Sequence, residues 1–172
     1  MMEAVGEPER LAALRGYGVL DTPNEPEFDA IVRDAARLLD APTALISLLA
    51  DHRQWFKARV GLDVKQLPRS MSFCTHAIRS AEVMTVPDAA ADPRFADNPL
   101  VRGGPAFRFY AGAPLKSATG WNIGMLCVLD KQPHPELTAD QTGELEALAA
   151  RTMTLFEARR ARRAAREKAL AA

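Results

Sequence analysis

The 172-residue sequence predicts an antiparallel α+β or α/β sandwich, a layer of helices laid against one sheet. Three features carry that expectation: helical periodicity at both ends of the chain, hairpin-forming strand pairs between them, and only one short crossover segment. A chain of this length falls within the range of a single domain and can bury a substantial core.

From the N-terminus, residues 7–15 form a short amphipathic turn that ends near Gly16 and Gly18. Asp21-Thr22-Pro23-Asn24 then punctuates the chain, and Asn24 is expected to cap a helix, with Glu27 three residues on completing a capping-box-like pattern. Phe28, Ile31, Val32, Ala35, Leu38 and Leu39 recur at helical spacing up to Asp40, so one face of that helix should be buried. After Ala41-Pro42, residues 43–50 are a continuous apolar run too short for a typical helix, which reads as a central strand covered on both sides. Asp51-His52 makes a turn, and residues 53–60 alternate, with Trp55, Lys57 and Arg59 on one face and Phe56, Ala58 and Val60 on the other. These two strands should pair as a hairpin.

Farther along, Ser72 is expected to cap a short helix over residues 73–80, followed by a strand over 83–86. Residues 87–105 contain Asp92-Pro93, Asn98-Pro99 and Gly103-Gly104, and an irregular connection this long is a natural candidate for a pocket lid. Residues 107–115 and 123–130 read as strands joined by a polar, glycine-containing turn, the second strand being apolar on both faces. A final helix opens with Thr138, has Gln141 at the capping-box position, and repeats Leu145, Leu148, Ala149, Thr152, Leu155 and Phe156.

Hydrophobic residues at 48% and charged residues at 26% suit a soluble globule and neither a disordered chain nor a lipid-embedded one. The 22 basic side chains balance the 22 acidic ones, which leaves no long-range field to draw in nucleic acid or an anionic membrane. Residues 1–7 carry neither a basic nor an apolar leader region, and no apolar run reaches membrane-spanning length, so a cytoplasmic location is expected. Cys74 and Cys127 stand apart without zinc-type spacing, which points to reduced thiols and no structural metal.

Several ordered motifs resemble the GAF domains of bacterial signalling proteins. They are Arg10-Leu11-Ala12-Ala13-Leu14, Gly18-Val19-Leu20-Asp21-Thr22-Pro23, Arg53-Gln54-Trp55-Phe56-Lys57-Ala58, Ser72-Phe73-Cys74-Thr75-His76-Ala77-Ile78, Asp92-Pro93-Arg94-Phe95, Arg108-Phe109-Tyr110-Ala111-Gly112-Ala113-Pro114-Leu115 and Ile123-Gly124-Met125-Leu126-Cys127-Val128-Leu129-Asp130. The resemblance covers roughly residues 8–158 and makes residues 1–172 one domain with a basic helical tail from 159 to 172. It implies a five- or six-stranded antiparallel sheet with the terminal helices on one face and a loop-covered ligand pocket on the other. Domains resembling this one often precede histidine kinase or diguanylate cyclase modules, while others bind cyclic nucleotides, bilins or haem, and a few reduce methionine sulfoxide. The cyclic-nucleotide pattern is not recognisable here, Thr75 separates Cys74 from His76 where a bilin site needs Cys-His, and the clustered cysteines of the reductases are absent. The resemblance therefore leaves the cofactor unknown.

Seven residues are candidates for the pocket: Phe73, Cys74, His76, Arg94, Phe95, Arg108 and Tyr110. Cys74, in the first turn of a helix, would have its thiolate favoured by the dipole, against the alternative of a small buried hydrophobe; Cys127, mid-strand, reads as core. Cys74 and His76 point about 200° apart around a helix, so together they make no metal site. His76 reads as a partly buried histidine bonded to backbone, and His52 and His134 as solvated turn residues. Arg108 and Tyr110 should share a strand face opposite Phe107, Phe109 and Ala111, which suits either a hold on an anionic ligand or a structural role, and Arg94 and Phe95 either cap that cavity or only turn the chain. The arginines of residues 159–166 read as a solvated helix, without the interleaved aromatics of a nucleic-acid binder. The expected function is non-catalytic sensing of an unidentified small molecule, transmitted through the terminal helices to a partner or across a homodimer. The competing readings are a Cys74-dependent redox switch or thiol enzyme, and a protein-association scaffold with a vestigial pocket.

Overall fold

The structure, a computed structural model, describes residues 6–172. The leader reading of residues 1–5 lies outside the described residues. Six strands, β1 (Thr43–Leu49), β2 (Arg53–Val60), β3 (Gln66–Pro68), β4 (Met84–Val86), β5 (Phe109–Lys116) and β6 (Asn122–Asp130), form one antiparallel sheet in the order β3-β2-β1-β6-β5-β4. The helices are α1 (Glu7–Gly16), α2 (Pro26–Leu38), the single turns α3 (Cys74–Ala77) and α4 (Pro99–Arg102), and α5 (Ala139–Ala171). None of the described helices is long and apolar enough to cross a membrane.

The two strands that are apolar on both faces, β1 and β6, pair at the centre of the sheet, where both faces are covered. One face packs on α2 and α5, through Phe28, Ile31, Val32 and Ala35 of the first and Leu145, Ala149, Met153 and Phe156 of the second. The 3-4 spacing that predicts each helix is thus the stripe that it buries. Thr138 and Gln141 cap α5 reciprocally, as their spacing predicts.

Two local expectations are corrected. Asn24 does not cap α2: Pro26 takes the first helical turn, which moves the cap position to Glu25, and no side chain caps there. The Glu25 carboxylate is engaged elsewhere, accepting from Lys57 Nζ at 2.5 Å and Arg159 Nε at 2.9 Å. Strand β2 also fails to alternate throughout. Ile46 pairs with Ala58 and Ser47 with Phe56, so Lys57 is the extra residue of a bulge. Phe56 therefore faces away from α2 and α5, while Ala58 joins Trp55 on their side. Lys57 is fully buried on that same side, bonded to Thr22 Oγ1 (2.9 Å), the Pro23 carbonyl (2.6 Å) and Glu25, with its ammonium 5.5 Å from the centre of the Phe28 ring.

The arginines after Phe156 are less solvated than their charge suggests. Arg159 pairs with Glu25 and donates to the Gly18 carbonyl, and Arg160 pairs with Glu157 and stacks over Tyr17. From 161 onward every residue of α5 is exposed.

At the start of the chain, Glu7 accepts two bonds from Arg10 (2.8 Å each) and one from Arg69 (2.5 Å), tying α1 to the segment before α3. The Arg10 guanidinium, opposed by partial burial and helped by Arg69, pulls the Glu7 carboxyl from its ordinary 4.5 down to about 2. Between those two values the unfolded chain binds the extra proton, so stability rises with pH there. The contribution of Glu7 is expected to be complete above about pH 5 and to drain away as pH falls toward about 2. Glu7→Gln should cost about 1–2 kcal/mol at neutral pH and flatten that acid limb, as read from urea midpoints across the range.

Candidate ligand pocket

The opposite face of the sheet presents Leu45, Phe56, Tyr110, Met125, Cys127 and Leu129. It is covered by α3 and by the segment 87–108, which inserts Ala89, Phe95, Leu100, Val101 and Phe107. That segment is not structureless, as it contains a 3-10 turn at Ala89–Ala91 and α4, each started by an aspartate or asparagine side chain accepting a backbone N–H. The Phe73 ring lies between Tyr110 (5.3 Å, nearly parallel) and Phe95 (4.7 Å). Beneath the lid remains a void of about 20 Å³ lined by Leu45, Gln54, Leu100, Phe107 and both cysteines among others, room for a single water.

A polar cluster floors the void. Gln54 Nε2 donates to Ser47 Oγ at 2.6 Å and to Cys74 Sγ at 3.2 Å, and the Tyr110 hydroxyl lies 3.5 Å from the same sulfur. The Cys74 thiol donates to Ser47 Oγ at 3.7 Å, and the Cys127 thiol to the Leu45 carbonyl at 3.8 Å. Both thiols border the void. The neighbouring Cys127 thiol lowers the Cys74 pKa against the effect of burial, with the Tyr110 and Ser47 hydroxyls adding to it. The neighbouring Cys74 thiol, together with burial, raises Cys127, and burial raises Tyr110. No group of three or more His, Cys, Asp or Glu among the described residues is arranged to hold a metal.

Of the seven sequence candidates, Phe73, Cys74, Phe95 and Tyr110 converge here, and three do not. The Arg108 guanidinium forks onto Asp88 at 2.6 and 2.8 Å, outside the pocket. It precedes the first β5 residue, Phe109, so strand alternation does not bind it to the face of Tyr110, and Phe107 likewise packs on the pocket side instead of with Phe109. Arg94 is held by Asp92 at 2.7 and 3.0 Å and lies against the Phe95 ring from outside. His76 is exposed, its ring edge-on to Phe95 at 5.0 Å, with no side-chain hydrogen bond among the described residues; burial of part of the ring and the nearby Arg79 and Arg94 lower its pKa. The helix predicted over 73–80 contracts to one turn, with the Ser72 hydroxyl accepting the Cys74 N–H at 2.9 Å. His134 is also not solvated, bonding to Asp130 at 2.7 Å and stacking on Phe109. With both arginines already paired outside, no cationic side chain among the described residues lines the void.

Ser47, Gln54 and Cys127 are pocket residues that sequence reasoning did not place. A signal exists for Ser47: it is the only hydroxyl inside the buried apolar stretch 44–50, and a buried hydroxyl requires a partner.

The GAF domain family model matches residues 24–154. The chain belongs to the GAF domain family. A cyclic di-GMP phosphodiesterase of Pseudomonas aeruginosa is 46% identical over 143 residues, which cover 83% of this chain and 24% of that protein, so the chain spans about a quarter of the relative. The GAF domain of an Acinetobacter phosphoenolpyruvate-protein phosphotransferase superposes with a TM-score of 0.66 at 20% identity, covering 93% of this chain and 97% of that one. The free methionine-R-sulfoxide reductase of Neisseria meningitidis, solved with its substrate, gives 0.63 at 16% identity over 93% and 95%. At these identities the two structures establish the shared fold.

Proposed function

We propose that this GAF domain is a non-catalytic sensory module that binds a small uncharged molecule on the loop side of the sheet and transmits occupancy through α5 to a catalytic output module. The observation that carries the reading is the polar Ser47, Gln54, Cys74 and Tyr110 cluster, buried under a lid of its own side chains. Hydrogen-bonding groups gathered at the floor of an apolar pocket are what orients a ligand. Because the void holds only a water, a ligand must displace Leu100 and Phe107, and binding is thereby coupled to movement of the segment 87–108. The name of the Pseudomonas relative favours an output module of cyclic di-GMP turnover, and a diguanylate cyclase or histidine kinase would be served by the same device. A homodimer would meet on the outer faces of the terminal helices, since Leu145, Thr152 and Phe156 are spent on the domain's own core.

Native mass spectrometry of the reduced protein, purified from a cell extract, tests the reading together with hydrogen exchange. The expected result is an added mass that is lost on denaturation, slowed exchange at residues 95–107, and altered exchange at 157–163. Protein that stays at its bare mass through a metabolite screen, with exchange unchanged in both segments, would sink it.

A further inference from the structure

We propose that Cys74 and Cys127 form a peroxide-oxidisable pair that closes into an intramolecular disulfide within the pocket. This goes beyond ligand sensing and does not depend on which molecule is bound. The two thiols come from α3 and β6 and border the same void of about 20 Å³. Their surroundings are unequal. Three side-chain groups able to donate, the Gln54 amide, the Tyr110 hydroxyl and the Ser47 hydroxyl, surround Cys74 Sγ, whereas the Cys127 proton rests on the Leu45 carbonyl. A cysteine kept only for packing needs no such ring of donors, and Gln54 is itself buried to reach it. The arrangement assigns the attacking thiolate to Cys74 and the resolving thiol to Cys127.

The oxidant class is a small hydroperoxide, hydrogen peroxide being little larger than the water that the void admits. The Cys74 thiolate attacks one peroxide oxygen, the O–O bond breaks, and the departing oxygen takes up the proton released by Cys74, leaving a sulfenic acid and water or an alcohol. The Cys127 sulfur then attacks the sulfenic sulfur, the S–S bond forms as the S–O bond breaks, and hydroxide leaves as water with the Cys127 proton. Two electrons pass from the thiol pair to the peroxide. The product ties α3 to β6 and removes the anion toward which Gln54 and Tyr110 are aimed.

The whole chain is treated with hydrogen peroxide, denatured in N-ethylmaleimide and weighed. The expected product is a monomer carrying no maleimide and lighter by two hydrogens, with a single cross-linked peptide joining Cys74 to Cys127, and dithiothreitol restores two maleimide sites. Cys127→Ala should stop at a dimedone-reactive Cys74, and Gln54→Leu should slow oxidation roughly tenfold at neutral pH by removing a thiolate donor. Two maleimides on wild-type protein after peroxide, disulfides only between separate chains, or sulfonic acid at one cysteine with the other free would each overturn the proposal. None of these outcomes bears on the ligand reading, which is scored by bound mass in reduced protein.

Discussion

Replacing Glu25 with alanine is expected to cost about 3–5 kcal/mol, because it leaves the Lys57 ammonium buried without a counter-charge. Lys57 would keep Thr22 and the Pro23 carbonyl, both uncharged, and Arg159 would lose its bond to the same carboxylate oxygen. For a domain of this size that loss corresponds to a fall in melting temperature of about 10 °C or more. Lys57→Met should cost less, since it removes the buried charge at similar volume, and Lys57→Met with Glu25→Ala should cost less than the sum by about 2 kcal/mol. Additive effects would show that the pair is not coupled. The Glu25 carboxyl is held below its ordinary pKa, its partial burial being outweighed by Lys57 and Arg159. Its contribution is therefore present above the ordinary carboxylate range and is lost as pH falls through the depressed value. The same carboxylate joins the bulge of β2 to the outgoing half of α5, so the variant should speed hydrogen exchange at residues 157–163 more than at 145–153.

Phe156→Ala is the second large effect, with an expected cost of about 3–5 kcal/mol in urea unfolding. The ring is buried between α2 and the sheet, stacked on Phe28 at 4.9 Å and tilted against Tyr17 at 6.1 Å. It is the last fully buried side chain of α5, and Tyr17, which donates to Glu157, depends on it for packing. Phe156→Leu should recover most of the loss by refilling the volume. A loss below about 1 kcal/mol for the alanine variant would mean that α2 and α5 close over the space or that α5 is not docked as described.

Both effects fall on residues that the sequence brings only half into view. Periodicity put Phe156 on the buried face of the last helix, because a 3-4 repeat depends on near neighbours alone. Glu25 carried no such signal, since its partners lie 32 and 134 positions away. Asn24 looked the better cap by composition, and Pro26 shifted the helix start past it. The pocket divides in the same way. Phe73, Cys74, Phe95 and Tyr110 belong to motifs that the family resemblance marks out, and they do converge. Arg94 and Arg108 belong to equally marked motifs, yet Asp92 and Asp88 hold them outside.

From the sequence alone follow the order of the strands and helices other than the three-residue β3 and the single-turn α4, the Thr138 and Gln141 cap, the burial of β1 and β6 on both faces and the family, since each is written in residue spacing over a few turns or in contiguous motifs. Only the tertiary structure decided which polar groups meet beneath the lid. A single extra residue at Lys57 brings Ala58 to the face of Trp55 while Phe56 stays on the opposite one, and a strand that starts at Phe109 frees Arg108 from the side of Tyr110. Strand register is set by pairing between distant segments, so the gathering of Ser47, Gln54, Cys74, Tyr110 and Cys127 into one buried cluster is a property of the folded sheet and is written in no local stretch of the chain.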